Sequence, residues 1–335
     1  MPADDGPGEM GAAQRGSALV FVYSSAMTQE ESDAHDIRVG TLSAIGAFSM
    51  WGVLPLYWIQ IRAVPPLEVL WHRVFWGAVV AWLIVFYRRR RERRMTPLVS
   101  ALPVIPERRV VGWLVLNGVL VVTNWFVYLW AVSSGRTLDA SLGYYINPLV
   151  SVLLGMVFFG DRLTRLQWAA VASATAGVLF LTIRLGVFPW VSLVLAGTFG
   201  TYGVIKKRTA LSSIHGLAVE LTLLSVVAAV AIGAGIAGGS GVPANGDWRA
   251  AVFLLGAGVV TVAPLLLFGV AARRIRLSDV GFLQYIAPTL MFIIALAIFG
   301  EPLEPARLVG FILVWIGLAM YTYSNYRSRR SRRDR

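Results

Sequence analysis

The stretch from Asp139 to Leu163, DASLGYYINPLVSVLLGMVFFGDRL, returns 140 residues later as DVGFLQYIAPTLMFIIALAIFGEPL from Asp279 to Leu303. Seven positions are identical without a gap: Asp139/Asp279, Tyr145/Tyr285, Ile146/Ile286, Pro148/Pro288, Phe159/Phe299, Gly160/Gly300 and Leu163/Leu303. Asp161 and Glu301 keep the charge, and Arg136/Arg276 and Gly177/Gly317 extend the match on either side. Shared apolar composition supplies an isoleucine or a leucine by chance. It does not also place an Asp, a mid-segment Pro and a Gly–acid pair at one spacing. The chain is a duplicated module, and that restricts its fold more than any other feature.

The module is built of apolar blocks. Apolar residues make up 57% of the chain and charged residues 14%, against about 25% charge in soluble domains. Ten segments of about twenty residues follow one another, at 39–60, 67–87, 110–131, 140–159, 167–184, 188–206, 214–236, 250–271, 280–299 and 307–325. Each is long enough to cross a hydrocarbon core of ~30 Å. The expected fold class is therefore an all-α integral membrane protein.

Lys and Arg collect in alternate loops. The segments 88–109, 160–166, 206–215, 272–278 and 326–335 hold 22 of them, and the opposite set holds five, at Arg62, Arg136, Arg184, Arg249 and Arg307. Positive residues stay inside, so both termini are expected in the cytoplasm. Five helices per copy is an odd number, so the second copy enters the membrane the other way up. Two inverted five-helix repeats place a binding site near the midplane and suit alternating access. The expected divisions are a disordered tail over 1–37, repeats over 38–185 and 186–325, and a basic tail over 326–335. The apolar patch 18–23 is too short to span and lacks a signal peptide's charged start and cleavage site. Met27 is a second candidate initiator.

Several chemistries are excluded. With no cysteine and three histidines, at positions 35, 72 and 215, no metal cluster is expected. No phosphate-cradling Gly loop of the Walker type is present, and no cofactor is implied. The Arg-rich runs lie next to the membrane, where anionic lipid is a nearer partner than nucleic acid. The expected partners are a small-molecule substrate and the lipid bilayer, with a homodimer as one assembly open to the chain.

The candidate site residues follow from polar groups inside apolar segments. Pro148 and Pro288 each remove an N–H and free the carbonyl four residues earlier, at Tyr144 and Gln284. In lipid such breaks face protein or a water-filled cavity. Tyr144, Asn147 and Ser151 share a face with Pro148, and Gln284, Tyr285 and Thr289 form a comparable set in the second copy. A structural kink is the plainer reading of both. Glu220 lies roughly 9 Å inside its helix at ~1.5 Å per residue, and an ionisable residue there is a functional candidate by default. Glu68 and His72 are four apart and meet on one helix face. A carboxylate beside a histidine relays a proton if burial raises its pKa, so Glu68, His72 and Glu220 are the coupling candidates. The alternative leaves Glu68 in interfacial water and pairs Glu220 with Arg73 or a loop lysine. Asn124 is assigned to the cavity with Tyr144, Asn147, Glu220, Gln284 and Tyr285, although an intramembrane Asn more often bonds a neighbouring helix. Ala169, Ser173 and Gly177 form a small-residue ridge for close packing.

The segments EVLWHRVFW (68–76), NWFVYLWAV (124–132), ASLGYYINPLVSVLLGMVFFGDRL (140–163), VTVAPLLLFGVAARRIRLSDVGFLQYIAPTLMF (260–292) and GE (300–301) resemble RarD-type proteins. These form part of the EamA group of the drug/metabolite transporter superfamily. The likeness covers residues 37–325. It implies a ten-helix inner-membrane permease of two inverted repeats, with proton-coupled export as the usual picture and no substrate supplied. His72 and Arg73 have no equivalents beside Glu220, so a coupling role is expected to be asymmetric. The expected function is secondary transport of a small organic metabolite or drug, not an enzymatic activity. The rivals are a non-transporting membrane scaffold or sensor and an integral-membrane lipid-modifying enzyme, the latter needing a cluster of catalytic polar residues that the sequence does not display.

Overall fold

The computed structural model describes residues 10–95, 108–134, 137–186, 188–209, 212–239, 241–242, 246–300, 303 and 305–333. Among these every regular element is helical: α1 (Met10–Trp58), α2 (Pro66–Met95), α3 (Arg108–Ser133), α4 (Thr137–Phe159), α5 (Arg165–Leu185), α6 (Trp190–Arg208), α7 (Ser213–Ala237), α8 (Trp248–Arg274), α9 (Leu277–Leu283), α10 (Ile286–Ala297) and α11 (Pro305–Arg333), with a 3-10 turn at Ile59–Ile61. The starts are specified locally. Thr164 and Gln167 form a reciprocal capping box on α5, and Asp247 accepts the Ala250 N–H at the start of α8 at 2.9 Å. Each satisfies donors that the first helical turn leaves unpaired.

Eight helices among the described residues are long and apolar enough to cross a membrane. They lie at Glu31–Ile61, Pro66–Arg91, Val110–Tyr128, Arg165–Arg184, Ser213–Ala237, Trp248–Arg274, Leu277–Ala297 and Leu308–Ser328. The apolar part of α4, Gly143–Phe159, is shorter. Helix α6 is outside the set because Gly197, Thr198, Gly200, Thr201, Tyr202, Gly203 and the basic run Lys206–Arg208 dilute its hydropathy. Packing explains the dilution. Helix α6 lies against α3, α4 and α8 and buries Ser192, Gly200, Tyr202 and Gly203, so neighbours shield its polar atoms from lipid.

The helices pair mainly across the two copies. Helix α1 packs on α8 and α10, and α6 correspondingly on α3 and α4; α2 packs on α8, and α7 on α3. Helix α2 also meets α7, α4 crosses α9, and α5 runs along α11. Exchanging α1 with α6, α2 with α7, α3 with α8, α4 with α9–α10 and α5 with α11 maps this pattern onto itself. Two hydrogen bonds join residues that are each other's counterparts 140 positions apart. The Tyr285 hydroxyl donates to the Tyr145 carbonyl at 3.2 Å, and the Ser173 hydroxyl to the Leu313 carbonyl at 2.8 Å. A residue that touches its own counterpart lies on the two-fold axis. The main core accordingly mixes both copies, from Phe48, Ala81 and Val121 to Tyr202, Leu217, Phe268 and Val280.

Three expectations change. Residues 10–37, expected to be disordered, continue α1, and Asp36 is held by Arg274 at 3.1 Å. The run AMTQEESDAHDIR contains no Pro or Gly to stop a helix, and its Glu, Gln and Ala are good helix formers. The ninth segment is two helices with a break at Gln284–Tyr285. There the Gln284 carbonyl, deprived of Pro288 as a donor, accepts the Ala287 N–H at 3.2 Å instead. Pro148, by contrast, sits inside a continuous α4, so the helix is interrupted in one copy only. Glu301 and Arg136 lie outside the described residues.

Candidate functional site

Arg73 is seven residues into α2, or ~10 Å from its start. Its guanidinium lies 5.1 Å from the Trp58 ring at the end of α1 and 4.6 Å from the Trp125 ring on α3. Its Nε donates to Thr261 Oγ1 on α8 at 3.3 Å. The hydroxyls of Tyr128 on α3 and Tyr144 on α4 interact with it electrostatically and with each other, and their rings meet edge to face at 6.0 Å. Arg73, Tyr128 and Tyr144 are each half-buried where α1, α2, α3, α4 and α8 come together, and each keeps accessible surface. They therefore line an accessible recess between α1, α2, α3, α4 and α8, which is the Arg73 cavity.

No carboxylate among the described residues pairs with Arg73. The ion pairs there are Lys206–Glu220, Arg274–Asp36 and Arg276–Asp279. A guanidinium stays charged in any protein environment, and inside a membrane helix the charge is unfavourable, by about 2.5–3.5 kcal/mol at the helix centre and less toward the ends. Cation–π contact with two rings offsets part of this, at up to ~2 kcal/mol per desolvated ring. The outcome is a positively charged, aromatic-walled cavity.

The buried cation Lys206 is neutralised. Lys206 Nζ contacts Glu220 Oε1 at 2.9 Å and Oε2 at 2.8 Å, and Asn117 Nδ2 donates to the same Oε1 at 2.8 Å. Glu220 is 1% exposed. Of the sequence candidates, Glu220 thus belongs to a closed ion-pair cluster joining α3, α6 and α7, with Lys206 as its partner instead of Arg73. Asn124 donates to the Leu195 carbonyl at 2.8 Å and Thr198 Oγ1 at 2.9 Å, bonding α3 to α6. Glu68 accepts the Val242 N–H at 2.6 Å, whereas His72 Nδ1 accepts from Trp76 Nε1 at 3.2 Å. The two are not hydrogen-bonded to each other.

The proline segments cross. The Pro148 carbonyl lies so close to Gly281 that a Cβ there would approach it to 2.7 Å. Around this crossing Ser151 contacts Gln284 Oε1 at 3.5 Å, Tyr285 is 0% exposed, and Asn147 is buried with an unpartnered Oδ1. The fold brings Tyr144 to Arg73. It gathers Asn147, Pro148, Gln284 and Tyr285 at the α4/α9–α10 crossing, encloses Glu220 in the Lys206 cluster and bonds Asn124 to α6. Arg73 is the residue that sequence reasoning passed over. Its signal was arithmetical: of 30 Lys and Arg, it alone lies in the interior of an apolar segment, the others being in tails, in loops or at segment ends.

The class is clear from the fold: a multi-pass, all-helical membrane protein made of two copies of one module around polar sites. Its family follows from comparison. The model of the EamA-like transporter family matches residues 38–183 and again 188–323, and the chain belongs to that family as a RarD-type member. It is 40% identical over 299 residues to Uncharacterized transporter PA0485 of Pseudomonas aeruginosa, covering 88% of this chain and 97% of that protein. It is 37% identical over 289 residues to Protein RarD of Escherichia coli strain K12, covering 86% and 95%. The Chloramphenicol-sensitive protein RarD of Pseudomonas aeruginosa is 28% identical over 296 residues, covering 88% and 97%. One solved structure superposes with a TM-score of 0.63 at 19% identity, over 85% of this chain and 97% of that one. At that identity it speaks for the fold alone.

Proposed function

We propose that this protein is a secondary transporter that carries a small organic solute across the plasma membrane by alternating access. Ten helices cross the bilayer as two inverted five-helix repeats, with both termini in the cytoplasm. The observation that carries this reading is the exchange symmetry of the packing, in which Tyr145 meets Tyr285 and Ser173 meets Leu313. With five helices per copy, such an axis lies in the membrane plane, and the two halves can rock about a shared site. The Arg73 cavity holds the solute on one side of that axis. The Lys206–Glu220–Asn117 cluster, on the opposite half by the charge rule, is the ionisable group placed to couple transport to protons.

The absence of native cysteine makes single-cysteine labelling free of background. Ser134 and Ser212 are exposed at opposite helix ends. In intact cells an impermeant maleimide labels Ser134→Cys and spares Ser212→Cys; labelling of both from outside refutes the inverted topology. Ser151, at the α4/α9 crossing, is 4% exposed. Alternating access predicts that a charged thiosulfonate reaches Ser151→Cys from either face, in right-side-out and in inside-out vesicles. Reaction from one face only, or from neither, overturns the mechanism.

A further inference from the structure

We propose that the Arg73 cavity receives the carboxylate of a small organic acid, so that the carried solute is a monoanion. This rests on the transporter reading and adds the substrate class to it. The argument begins with which donors are already used. Arg73 Nε is committed to Thr261. The end-on edge, formed by the two Nη groups, has no acceptor among the described residues. A carboxylate matches that edge with two parallel hydrogen bonds.

The surroundings select for such a ligand. Trp58 and Trp125 cover the guanidinium, limiting its hydration and strengthening attraction to an anion. The Tyr128 and Tyr144 hydroxyls lie near the cation and bond to each other, which leaves one O–H hydrogen between them as a further donor for an oxyanion. Their rings, edge to face at 6.0 Å, offer apolar wall to the rest of the molecule. A cationic solute finds repulsion and no carboxylate. A dianion finds one positive charge where it needs two.

The same protein shows what a purely structural cation looks like here. Lys206 is met by both oxygens of Glu220, which is in turn held by Asn117. An intramembrane arginine without such partners marks a ligand or ion pathway by default. The Arg73 cavity is open where the Lys206 cluster is closed, and the difference is one missing carboxylate. The ligand supplies it.

The test uses the full chain in phosphatidylcholine nanodiscs, where no anionic lipid competes. The probes are lactate, benzoate and indole-3-acetate, each against its neutral amide. The readout is the thermal unfolding midpoint followed by tryptophan fluorescence. At saturating concentration at least one acid raises the midpoint by roughly 2–4 °C, and its amide does not. Arg73→Gln abolishes the shift, and Arg73→Lys, which keeps the charge but loses the fork, reduces it. If Arg73→Gln does not fold, Tyr128→Phe serves in its place, and the shift is expected to shrink several-fold. The proposal is overturned if every acid behaves like its amide, or if Arg73→Gln keeps the shift. It is also overturned if the Arg73-dependent shift appears only when phosphatidylglycerol is added, because the cation then serves a lipid headgroup. None of these failures touches the cysteine-labelling result, so the transporter reading stands or falls separately.

Discussion

The hydroxyl of Tyr285 donates to the backbone carbonyl of Tyr145, its own counterpart in the other repeat, at 3.2 Å. The contact exists because α9 crosses α4 where Gly281 lets the Pro148 turn come close. It makes Tyr285 a tie on the axis, whereas its place in the sequence pattern suggested a cavity wall.

Removing that hydroxyl should therefore be mild. Interhelical hydrogen bonds within membranes contribute about 0.6 kcal/mol on average. Tyr285→Phe is expected to express at wild-type level, to lose at most a few degrees of thermal stability and to keep solute binding. A variant that folds normally and no longer binds the acids that shift the wild type would put Tyr285 back in the site.

Gly177 and Gly317 make reciprocal contacts across the α5–α11 interface. A Cβ at Gly177 would lie 2.8 Å from the Gly310 carbonyl oxygen, and one at Gly317 would lie 2.7 Å from that of Ala170. Both obstacles are backbone, which cannot swing aside as a side chain does. Gly177→Ala and Gly317→Ala should each cost about 1–3 kcal/mol and lower the aggregation temperature on gel filtration by similar amounts. Gly112→Ala, with open space around it, is the control and should be neutral. Unequal losses at the two counterparts would argue against a symmetric interface.

Much of this architecture was readable because the repeat is covalent information. The counterparts Tyr145/Tyr285 and Gly177/Gly317 are visible as letters, and their inversion is the proposal that five helices per copy leads to. The chemistry was harder to read because its partners are distant in sequence. Lys206 and Glu220 are 14 residues apart on different helices, and at a segment end Lys206 resembles a topology signal. Whether Asn124 faces a ligand or bonds Leu195 depends on which helix lies beside α3, and single-segment periodicity cannot say. Pro148 and Pro288 are identical letters with different outcomes. The break forms only at Gln284–Tyr285, since local bonding depends on what each helix crosses.

The Lys206–Glu220 pair makes a double-mutant prediction. Removing one member of a buried pair leaves an uncompensated charge and costs about 3–5 kcal/mol, whereas removing both costs far less. Glu220→Gln and Lys206→Met should each lower stability sharply, and the double variant should recover most of the loss. The check is thermal unfolding of all four proteins in one detergent. Additive losses would mean that the pair is not the source of stability. A well-folded double variant also separates coupling from folding, since only a coupling group abolishes pH-driven solute movement there.

Glu68 yields the last prediction. Its carboxylate accepts the Val242 amide of the segment between α7 and α8 at 2.6 Å, tying the start of α2 to that connection. A hydrogen bond to a charged group contributes about 1.5–3 kcal/mol, and ~1.4 kcal/mol corresponds to a tenfold change in an opening equilibrium. Glu68→Ala should therefore speed deuterium exchange of the Val242 amide by at least tenfold. Glu68→Gln, whose amide oxygen still accepts but without charge, should fall between. Exchange within α7 should not change, because its backbone bonds do not involve Glu68. If Val242 exchanges equally fast in all three proteins, the tie is absent in solution. Glu68 then regains its standing as a partner for His72, four residues along the same helix.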